Sequence, residues 1–194
     1  LDYLDSVLQM ITLSEGDRDL QEIRQELMDN GYLKQHRRKM TAKGKQKIVH
    51  AKPLEFRSSG GLTILVGKNN SQNDRLTHRE ADKRDLWLHA QKLHGSHVIL
   101  KTGGLPPDER SLTEAAMLAA WFSQGRESGQ VPVDYTPVKV VKKPAGAKPG
   151  FVVYSTYRTV YVTPSQELVR ALSRRETRGW SKADQEPEGG ARHD

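Results

Sequence analysis

The sequence contains no cysteine, and this absence removes three classes of protein at once. Without thiols the chain has no disulfide framework, no cysteine nucleophile and no thiolate zinc site. Chains without cysteine are common in reducing compartments, so we expect a cytoplasmic location. No apolar run approaches the roughly 20 residues that a membrane-spanning helix needs, and we expect no membrane partner.

Aromatic residues are also scarce, at 6% of the 194 positions, and hydrophobic residues make up only 35%. This supply supports one domain with a modest core, with part of the chain extended or loose. Base stacking over a whole sheet surface needs more exposed rings than this chain contains. The sequence starts with Leu1, which indicates a piece of a longer protein.

Positive charge is present in excess and is concentrated in two segments. Residues 34–52 hold eight Lys and Arg and no acid, and residues 138–158 hold five and no acid. They contribute 13 of the positive charges, so the rest of the chain is near −6 although the whole is +7. Patterned positive charge favours a polyanionic partner, because each neutralised phosphate releases condensed counterions. The alternative is a solvated linker and a lysine-rich turn.

Residues 1–33 are predicted to be helical. Apolar side chains recur at helical spacing from Leu4 to Ile11 and again from Leu20 to Leu27. The stripes are narrow, as in the seam of a coiled coil. The alternative is a small amphipathic pair that packs on the neighbouring domain. Residues 34–52 are interpreted as a basic linker, and 173–194 as a disordered polar tail.

Residues 53–172 are predicted to form one α+β domain. The connections between strands are short, so an antiparallel or mixed sheet is favoured over a doubly wound one, with an Ala-rich helix packed on it. Ser111 and Glu114 match a capping box at the start of that helix. The predicted elements are a hairpin over 53–67 with its turn at 58–61, a helix over 72–81, strands over 86–89 and 97–101, the capped helix to 122, β-structure over 131–141, 150–156 and 159–164, and a helix over 164–172.

The segment DLWLHAQKLHGSHVIL, residues 85–100, concentrates the chemically active side chains. Alternation along a strand places Asp85, Trp87 and His89 on one face. His89, His94 and His97, with Asp85, could supply three nitrogen ligands and one oxygen ligand to a metal ion, but no specific metal motif is present, and we expect no cofactor. Asp85, Ser96 and His97 include the residue types of a catalytic triad, but no nucleophile elbow is present. A packed aromatic face with a hydrogen-bonded imidazole is a further interpretation.

Contact with RNA is the interpretation that also uses the charge pattern. Imidazole and aromatic groups can stack bases while nearby Lys and Arg hold phosphates. Gly and Pro in KKPAGAKPG, residues 142–150, would expose lysines on a loop. The residues predicted to bind RNA are Lys68, Asn69, Asn70, Arg75, Asp85, Trp87, His89, Ser96, His97, Lys142, Lys143 and Lys148.

Two long stretches resemble a known family. LTILVGKNNSQNDRLTHREADKRDLWLHAQKLHGSHVIL and LTEAAMLAAWFSQGRESGQVPVDYTPVKVVKKPAGAKPGFVVYSTYRTVYVTP are similar to the NFACT-R domain of the NFACT ribosome quality-control factors. Some members carry the older label fibronectin-binding protein A. The resemblance covers about residues 54–164, and the family usually has proline where this chain has His94.

The resemblance implies a non-enzymatic RNA-binding domain that follows a coiled coil, of which residues 1–33 would be the end. It further implies a parent protein that binds the obstructed large ribosomal subunit, with its rRNA and proteins. The parent would recruit tRNA and support C-terminal alanine tailing of stalled chains. Two alternatives remain open at this point. One is an adhesion module for an extracellular matrix protein such as fibronectin, and the other is an RNA-processing enzyme built on Asp85, His89 and His97.

Overall fold

A computed structural model describes residues 2–34 and 51–177, with side chains as far as Ser173. Most of the predicted basic linker and of the predicted polar tail lie outside these residues. The helices are α1 (Asp2–Leu13), α2 (Asp17–Asp29), α3 (Asn70–Arg75), α4 (Glu109–Trp121) and α5 (Gln166–Thr177). The strands are β1 (Leu54–Arg57), β2 (Thr63–Val66), β3 (Leu86–Ala90), β4 (Val98–Leu100), β5 (Val131–Pro137) and β6 (Arg158–Val162).

The six strands form one sheet in the order β1-β2-β4-β3-β5-β6, and every neighbouring pair is antiparallel. The predicted α+β class with an antiparallel sheet is therefore confirmed. The first hairpin turns at Ser58–Gly61, as predicted, and Gly61 has the positive φ of 82° that such a turn requires. The predicted helix over 72–81 begins earlier, at Asn70, and its second half is a π-helical turn over Leu76–Glu80.

Helix α4 covers one face of the sheet. Its alanines, among them Ala115 and Ala119, are fully buried, and their small side chains let the helix backbone lie close to the strands. Leu88, Val98 and Val133 rise from the strands into the same apolar core. Helix α5 packs against β1 and α4 at the edge of this layer. We call this side the helix face.

The other side of the sheet, the loop face, is covered by irregular backbone. A second, smaller apolar cluster surrounds Trp87 and Ile99 and includes Leu76, Val138 and Val141. This cluster is covered by the π-helical turn and by residues 138–157. These residues connect β5 to β6 along the chain and cross this face of the sheet, and we call them the crossing segment.

Two details of the predicted elements are wrong. Helix α4 begins at Glu109, two residues before Ser111, because Asp108 is the N-cap and its Oδ1 accepts from the Ser111 amide at 2.8 Å. Glu114 turns instead to the first hairpin, where one of its carboxylate oxygens accepts from the Ser59 amide at 2.7 Å. The capping-box pattern is present, but a better cap lies three residues upstream.

The predicted β-structure over 150–156 is also wrong. This segment forms only an isolated bridge between Lys142 and Val153, while β6 pairs with β5. The alternation of apolar residues has a different cause. Val152 and Tyr154 pack on the cluster around Trp87 through side chains, without a ladder of backbone hydrogen bonds.

Helices α1 and α2 form an antiparallel pair with a small core of Val7, Met10 and Ile23. The pair packs against α3 and the adjoining loop, as the alternative to a free coiled-coil seam proposed. A stripe of Leu4, Leu8 and Ile11 nevertheless remains exposed on α1. The assignment of this pair to the end of a coiled coil stays a prediction.

Candidate nucleic-acid interface

A buried carboxylate organises the loop face. Asp134 on β5 is paired in register with His89 on β3 and with Thr159 on β6. It accepts from Gln91 Nε2 at 2.9 Å, from Thr159 Oγ1 at 2.7 Å and from the Tyr154 hydroxyl at 2.7 Å. Burial, with the hydrogen bond to Asp134, raises the pKa of Tyr154. The phenol therefore keeps its proton and fastens the crossing segment to the sheet.

His97 joins three elements through its two ring nitrogens and its amide. Nε2 lies 3.1 Å from the Gly150 carbonyl oxygen, Nδ1 lies 2.8 Å from Thr77 Oγ1, and the amide donates to Asn73 Oδ1 at 3.1 Å. Because a carbonyl can only accept, Nε2 carries the proton and Nδ1 accepts from the threonine. Burial lowers the pKa of His97 well below its usual value, so the ring is neutral.

Trp87 lies at the centre of an aromatic group and is fully buried. The His89 ring stacks on it with centroids 5.5 Å apart and planes at 9°, while His97 meets it edge-on at 5.3 Å and Tyr154 at 4.9 Å. Burial lowers the pKa of His89. Trp87 is therefore a packed aromatic residue whose ring is not open to a base, as the interpretation of a packed aromatic face describes.

Asp85 and Ser96 are buried and hold loops in place. Asp85 Oδ1 accepts from the Gly103 amide at 2.9 Å, and Oδ2 accepts from the Asp82 amide at 3.1 Å. The Ser96 amide donates to the Phe122 carbonyl at 2.8 Å. The carboxylate opposite His89 is therefore Asp134, which sequence reasoning missed. Its signal was an acid flanked by β-forming residues in VPVDYTP.

The predicted cluster Lys68, Asn69 and Asn70 is occupied from within the chain. Lys68 Nζ lies 2.6 Å from Asp19 Oδ1, Asn69 Nδ2 donates to Glu22 Oε2 at 2.8 Å, and Asn70 Nδ2 donates to Ser6 Oγ at 2.9 Å.

The partners of this cluster come mainly from one face of α2. Asp19, Glu22 and Glu26 are three and four residues apart, which places them on one helix face. Glu26 continues the pattern by accepting from the Ser71 amide at 2.7 Å. Arg75 is engaged separately, with Nε 3.0 Å from Glu80 Oε1. The spacing of the three acids was the signal that could have indicated this docking.

The lysine-rich segment 142–148 lies at the surface of the loop face. Lys142 is exposed, and its backbone exchanges two hydrogen bonds with Val153 at 2.9 and 2.8 Å. Lys143 forms an ion pair with Asp74. Lys148 Nζ lies 5.0 Å from the ring centroid of Tyr32. Lys142 and Lys148 have no carboxylate within ion-pair distance among the described residues.

A cavity of about 540 Å³ opens beside these groups. It lies between α1, the loop after β3 and the segment 148–154. Its lining includes His89 and His97 from the prediction, together with residues that sequence reasoning did not assign to a site: Tyr3, Lys92, Phe151 and Tyr154. The cavity therefore brings the histidines to Lys148 and leaves Asp85 and Ser96 outside.

The described residues were also compared with the requirements of a metal site and of a membrane-spanning helix. Within residues 2–34 and 51–177, no three His, Asp or Glu side chains are placed to hold a metal ion together. No helix in that part of the chain has the length and apolar character to cross a membrane.

Comparison with known proteins decides the family. Residues 52–155, more than half of the chain, match the family described as NFACT protein RNA binding domain. The chain belongs to this family. The matched range contains His89, His97, Asp134 and the lysine-rich segment.

Named relatives match a longer part of the chain than the family model does. The Rqc2 homolog RqcH of Bacillus subtilis (strain 168) is 46% identical over 175 residues, which cover 90% of this chain and 30% of the relative. The Streptococcus suis (strain 05ZYH33) homolog is 42% identical over 173 residues, covering 89% and 29%. The chain thus spans about 30% of the length of these relatives.

A solved structure has the same fold as this NFACT chain. It is the C-terminal part of the fibronectin/fibrinogen-binding protein from Streptococcus suis, and it superposes with a TM-score of 0.78 at 41% identity, covering 88% of this chain and 66% of that one. A more distant relative, coiled-coil domain-containing protein 25 of Bos taurus, is 27% identical over 123 residues, which cover 61% of this chain and 59% of that protein.

Proposed function

We propose that this chain is the RNA-binding module of a ribosome-associated quality-control factor in the cytoplasm. In that role it binds tRNA and the obstructed large ribosomal subunit, and it supports C-terminal alanine tailing of stalled chains. The names of the RqcH relatives support the quality-control assignment, and the family supports RNA binding. The module acts by holding RNA, while the bond-forming chemistry belongs to the ribosome.

The observation that carries this proposal is the uncompensated positive charge of the loop face. Lys139, Lys142 and Lys148 are exposed in a segment without acids, and among the described residues none has a carboxylate partner. A solvated lysine without a carboxylate partner binds a phosphate at little free-energy cost, whereas a lysine in an ion pair must first break that pair. We therefore assign phosphate contact first to Lys142 and Lys148, and second to Lys143.

The buried residues of the predicted site give this loop its shape. The Gly150 amide donates to Asp74 Oδ1 at 2.9 Å, and its carbonyl accepts from His97. Trp87 and Asp134 hold the return of the same segment through Tyr154. We propose that His97, Trp87, Asp85, Ser96 and the cluster 68–70 with Arg75 position the RNA-binding surface, and that His89 contacts RNA from the cavity.

The test is a titration of the chain with tRNA and with an unrelated RNA hairpin at two salt concentrations. Affinity should fall steeply between about 50 and 200 mM salt, because counterions are released on binding. Lys142→Glu and Lys148→Glu should each weaken binding and reduce the salt slope. Arg170→Glu is the matched control, since this exposed arginine lies on α5 at the helix face. An RNA affinity that changes neither with salt concentration nor in the two lysine variants would contradict the proposal.

An adhesion role is the second candidate, and it is favoured by the name of the Streptococcus suis protein with the same fold, fibronectin/fibrinogen-binding protein. Fibronectin should be titrated under the same conditions, and intact cells should be surface-labelled. Surface labelling, together with fibronectin binding that Lys142→Glu leaves unchanged, would favour adhesion. We expect neither, because the exposed lysines are best suited to a polyanion.

A further inference from the structure

The cavity has a size and shape that suit one small organic group. Its volume of about 540 Å³ lies within the range of ligand pockets, and it is too small for the width of a nucleic-acid duplex. Tyr3 and Ser6 of α1 line one side, and Lys92 to Gly95 line another. The third side is the segment from Lys148 to Val152.

The cavity offers flat aromatic surface. Phe151 is 48% exposed, and its ring lines the opening. Behind it lie Tyr154 and the stacked pair of His89 and Trp87. Stacking on such rings is the sequence-tolerant way in which proteins bind unpaired bases.

The same cavity contains polar atoms that could meet the edge of a base. The His89 imidazole is partly exposed and lines the cavity, where it offers a ring nitrogen to a ligand. Base edges carry both hydrogen-bond donors and acceptors, so either tautomer of this ring finds a partner there.

Two cations flank the opening. Lys92 and Lys148 are exposed, and among the described residues neither forms an ion pair. The one carboxylate in the lining is Asp2, whose Oδ1 lies 3.4 Å from His94 Nε2 and therefore faces an imidazole.

The backbone at Lys92 is held in an unusual conformation. Its φ of 55° is the only positive value of a non-glycine residue in the part of the chain that the structure describes. The preceding residue anchors this geometry, because the Gln91 amide donates to the Pro132 carbonyl at 2.9 Å and its side chain donates to Asp134. Backbone held in a sparsely populated region is concentrated at functional sites. Here it keeps a lysine beside the cavity.

We propose that the cavity receives one unpaired nucleotide of the bound RNA. The base stacks on Phe151 and meets His89 at its edge, and the adjoining phosphate lies between Lys92 and Lys148. The nucleotide must leave its own helix to enter, so the module selects single-stranded or looped RNA over a duplex. This inference rests on the RNA binding proposed above and adds to it the element that is recognised.

The first experiment compares three RNAs of equal length: a hairpin with one unpaired nucleotide, the same hairpin with an abasic site there, and a fully paired form. The variants are Phe151→Ala and Lys92→Gly, and glycine is chosen because it adopts the positive φ without strain. Each should weaken binding of the first hairpin roughly tenfold, the loss expected for one base stack or one phosphate contact, and leave the paired form unchanged.

Matched controls lie elsewhere on the sheet. Tyr161→Ala removes a ring that is 62% exposed on β6, and Lys101→Ala removes an exposed lysine that follows β4 at the end of the sheet away from the cavity. Both should stay within about twofold of the parent chain, since neither residue lines the cavity.

A fluorescence measurement on a chain with intact cavity residues guards against misfolded variants. Trp121→Phe with Trp180→Phe leaves Trp87 as the single tryptophan. At saturation, the hairpin with the unpaired nucleotide should change the fluorescence emission of Trp87. The abasic hairpin and the fully paired form should leave that emission unchanged. Equal affinity for all three RNAs with unchanged emission would overturn the cavity proposal while RNA binding stands. Absence of binding to any RNA at low salt would overturn the proposed function and this inference with it.

Discussion

The two faces of the sheet are built by different means. On the helix face, Ala115 and Ala119 of α4 meet strand side chains such as Leu88 in a mainly apolar contact. On the loop face, Asp134 and His97 lie beside Trp87, and hydrogen bonds connect them to the crossing segment. The helix face is stabilised mainly by the hydrophobic effect, which does not depend on the orientation of the groups. The loop face depends on hydrogen bonds, which require a particular orientation of donor and acceptor.

The difference supports the proposal that the loop face binds RNA. The larger cavity of about 540 Å³ lies on the loop face, whereas the close packing of α4 leaves less room on the helix face. A face that is covered by irregular chain can leave a cavity where that chain does not fill the space, and its polar groups are then available to a partner. The predictions below test this division between apolar and hydrogen-bonded stabilisation.

The largest effect is expected on the helix face. Leu118→Ala removes a fully buried side chain of α4 and should lower the free energy of unfolding by about 2–5 kcal/mol, since a cavity remains. Chemical denaturation measures the loss. Thr113→Ala, at an exposed position of the same helix, is the control and should change it by less than about 0.5 kcal/mol. RNA affinity of the folded fraction should not change, and a specific loss of affinity would contradict the division of roles.

A somewhat smaller effect is expected from the carboxylate of the loop face. Asp134→Ala leaves three donors without their acceptor and should cost about 2–3 kcal/mol. Unlike Leu118→Ala, it should also weaken RNA binding, because Tyr154 no longer holds the crossing segment. Thr159→Val removes one donor and keeps the carboxylate, so it should cost about 1 kcal/mol and leave affinity unchanged. Equal affinity for RNA in Asp134→Ala would show that the segment needs no such anchor.

Gly150 tests the fit between the crossing segment and α3. Its φ is 80°, and a Cβ there would lie 2.7 Å from Asn70 Oδ1. Gly150→Ala should therefore cost about 1–2 kcal/mol through strain and displacement of Asn70. Gly146→Ala is the informative comparison, because its φ is 73° but a Cβ would meet nothing within 4 Å. Thermal or chemical unfolding measures the loss of unfolding free energy in each variant. The additional loss in Gly150→Ala over Gly146→Ala gives the effect of the contact between the added Cβ and Asn70. Equal losses would show that this contact has no effect on stability.

The smallest effect is a dependence of stability on pH. Burial lowers the pKa of His97 in the folded chain, whereas the unfolded chain binds a proton near pH 6.5. The unfolded state therefore binds more protons below that pH, and stability falls as the pH falls from about 6.5.

The contribution of His97 to this fall should be about 1 kcal/mol between pH 6.5 and 5.5. His97→Gln, whose amide does not titrate, should reduce the fall when unfolding is followed at several pH values. His89 and His78, whose pKa values are also lowered, should account for the remainder. An unchanged pH profile in His97→Gln would mean that the ring is not neutral in the folded chain.

The sequence predicted the helix face well and the loop face poorly, for a physical reason. Alternation and helical periodicity report which side chains leave water, so the sheet, the Ala-rich helix and the first hairpin were predictable. Periodicity does not report hydrogen-bond partners. The segment 150–156 therefore resembled a strand when its residues pack through side chains, and Ser111 was given a capping role that Asp108 holds.

The same limit applies to the candidate site. Residue types predicted that His89, His97 and the lysines of 142–148 belong to one RNA-binding region, and both histidines and Lys148 line the cavity. Residue types could not reveal that three acids of α2 occupy the cluster around Lys68, because that contact joins segments 45 to 49 residues apart. RNA contact by the cluster around Lys68 stays a prediction, and the RNA would have to displace the acids of α2.

The place of α1 gives the helix pair a mechanical meaning. Tyr3 and Ser6 of that helix are part of the cavity wall, and Ser6 is also bonded to Asn70 of the domain. Because α1 both walls the cavity and is bonded to the domain, a displacement of the helix pair relative to α3 would change the width of the opening. A ligand in the cavity would in turn touch both the helix pair and the domain, and would hold them in one relative position.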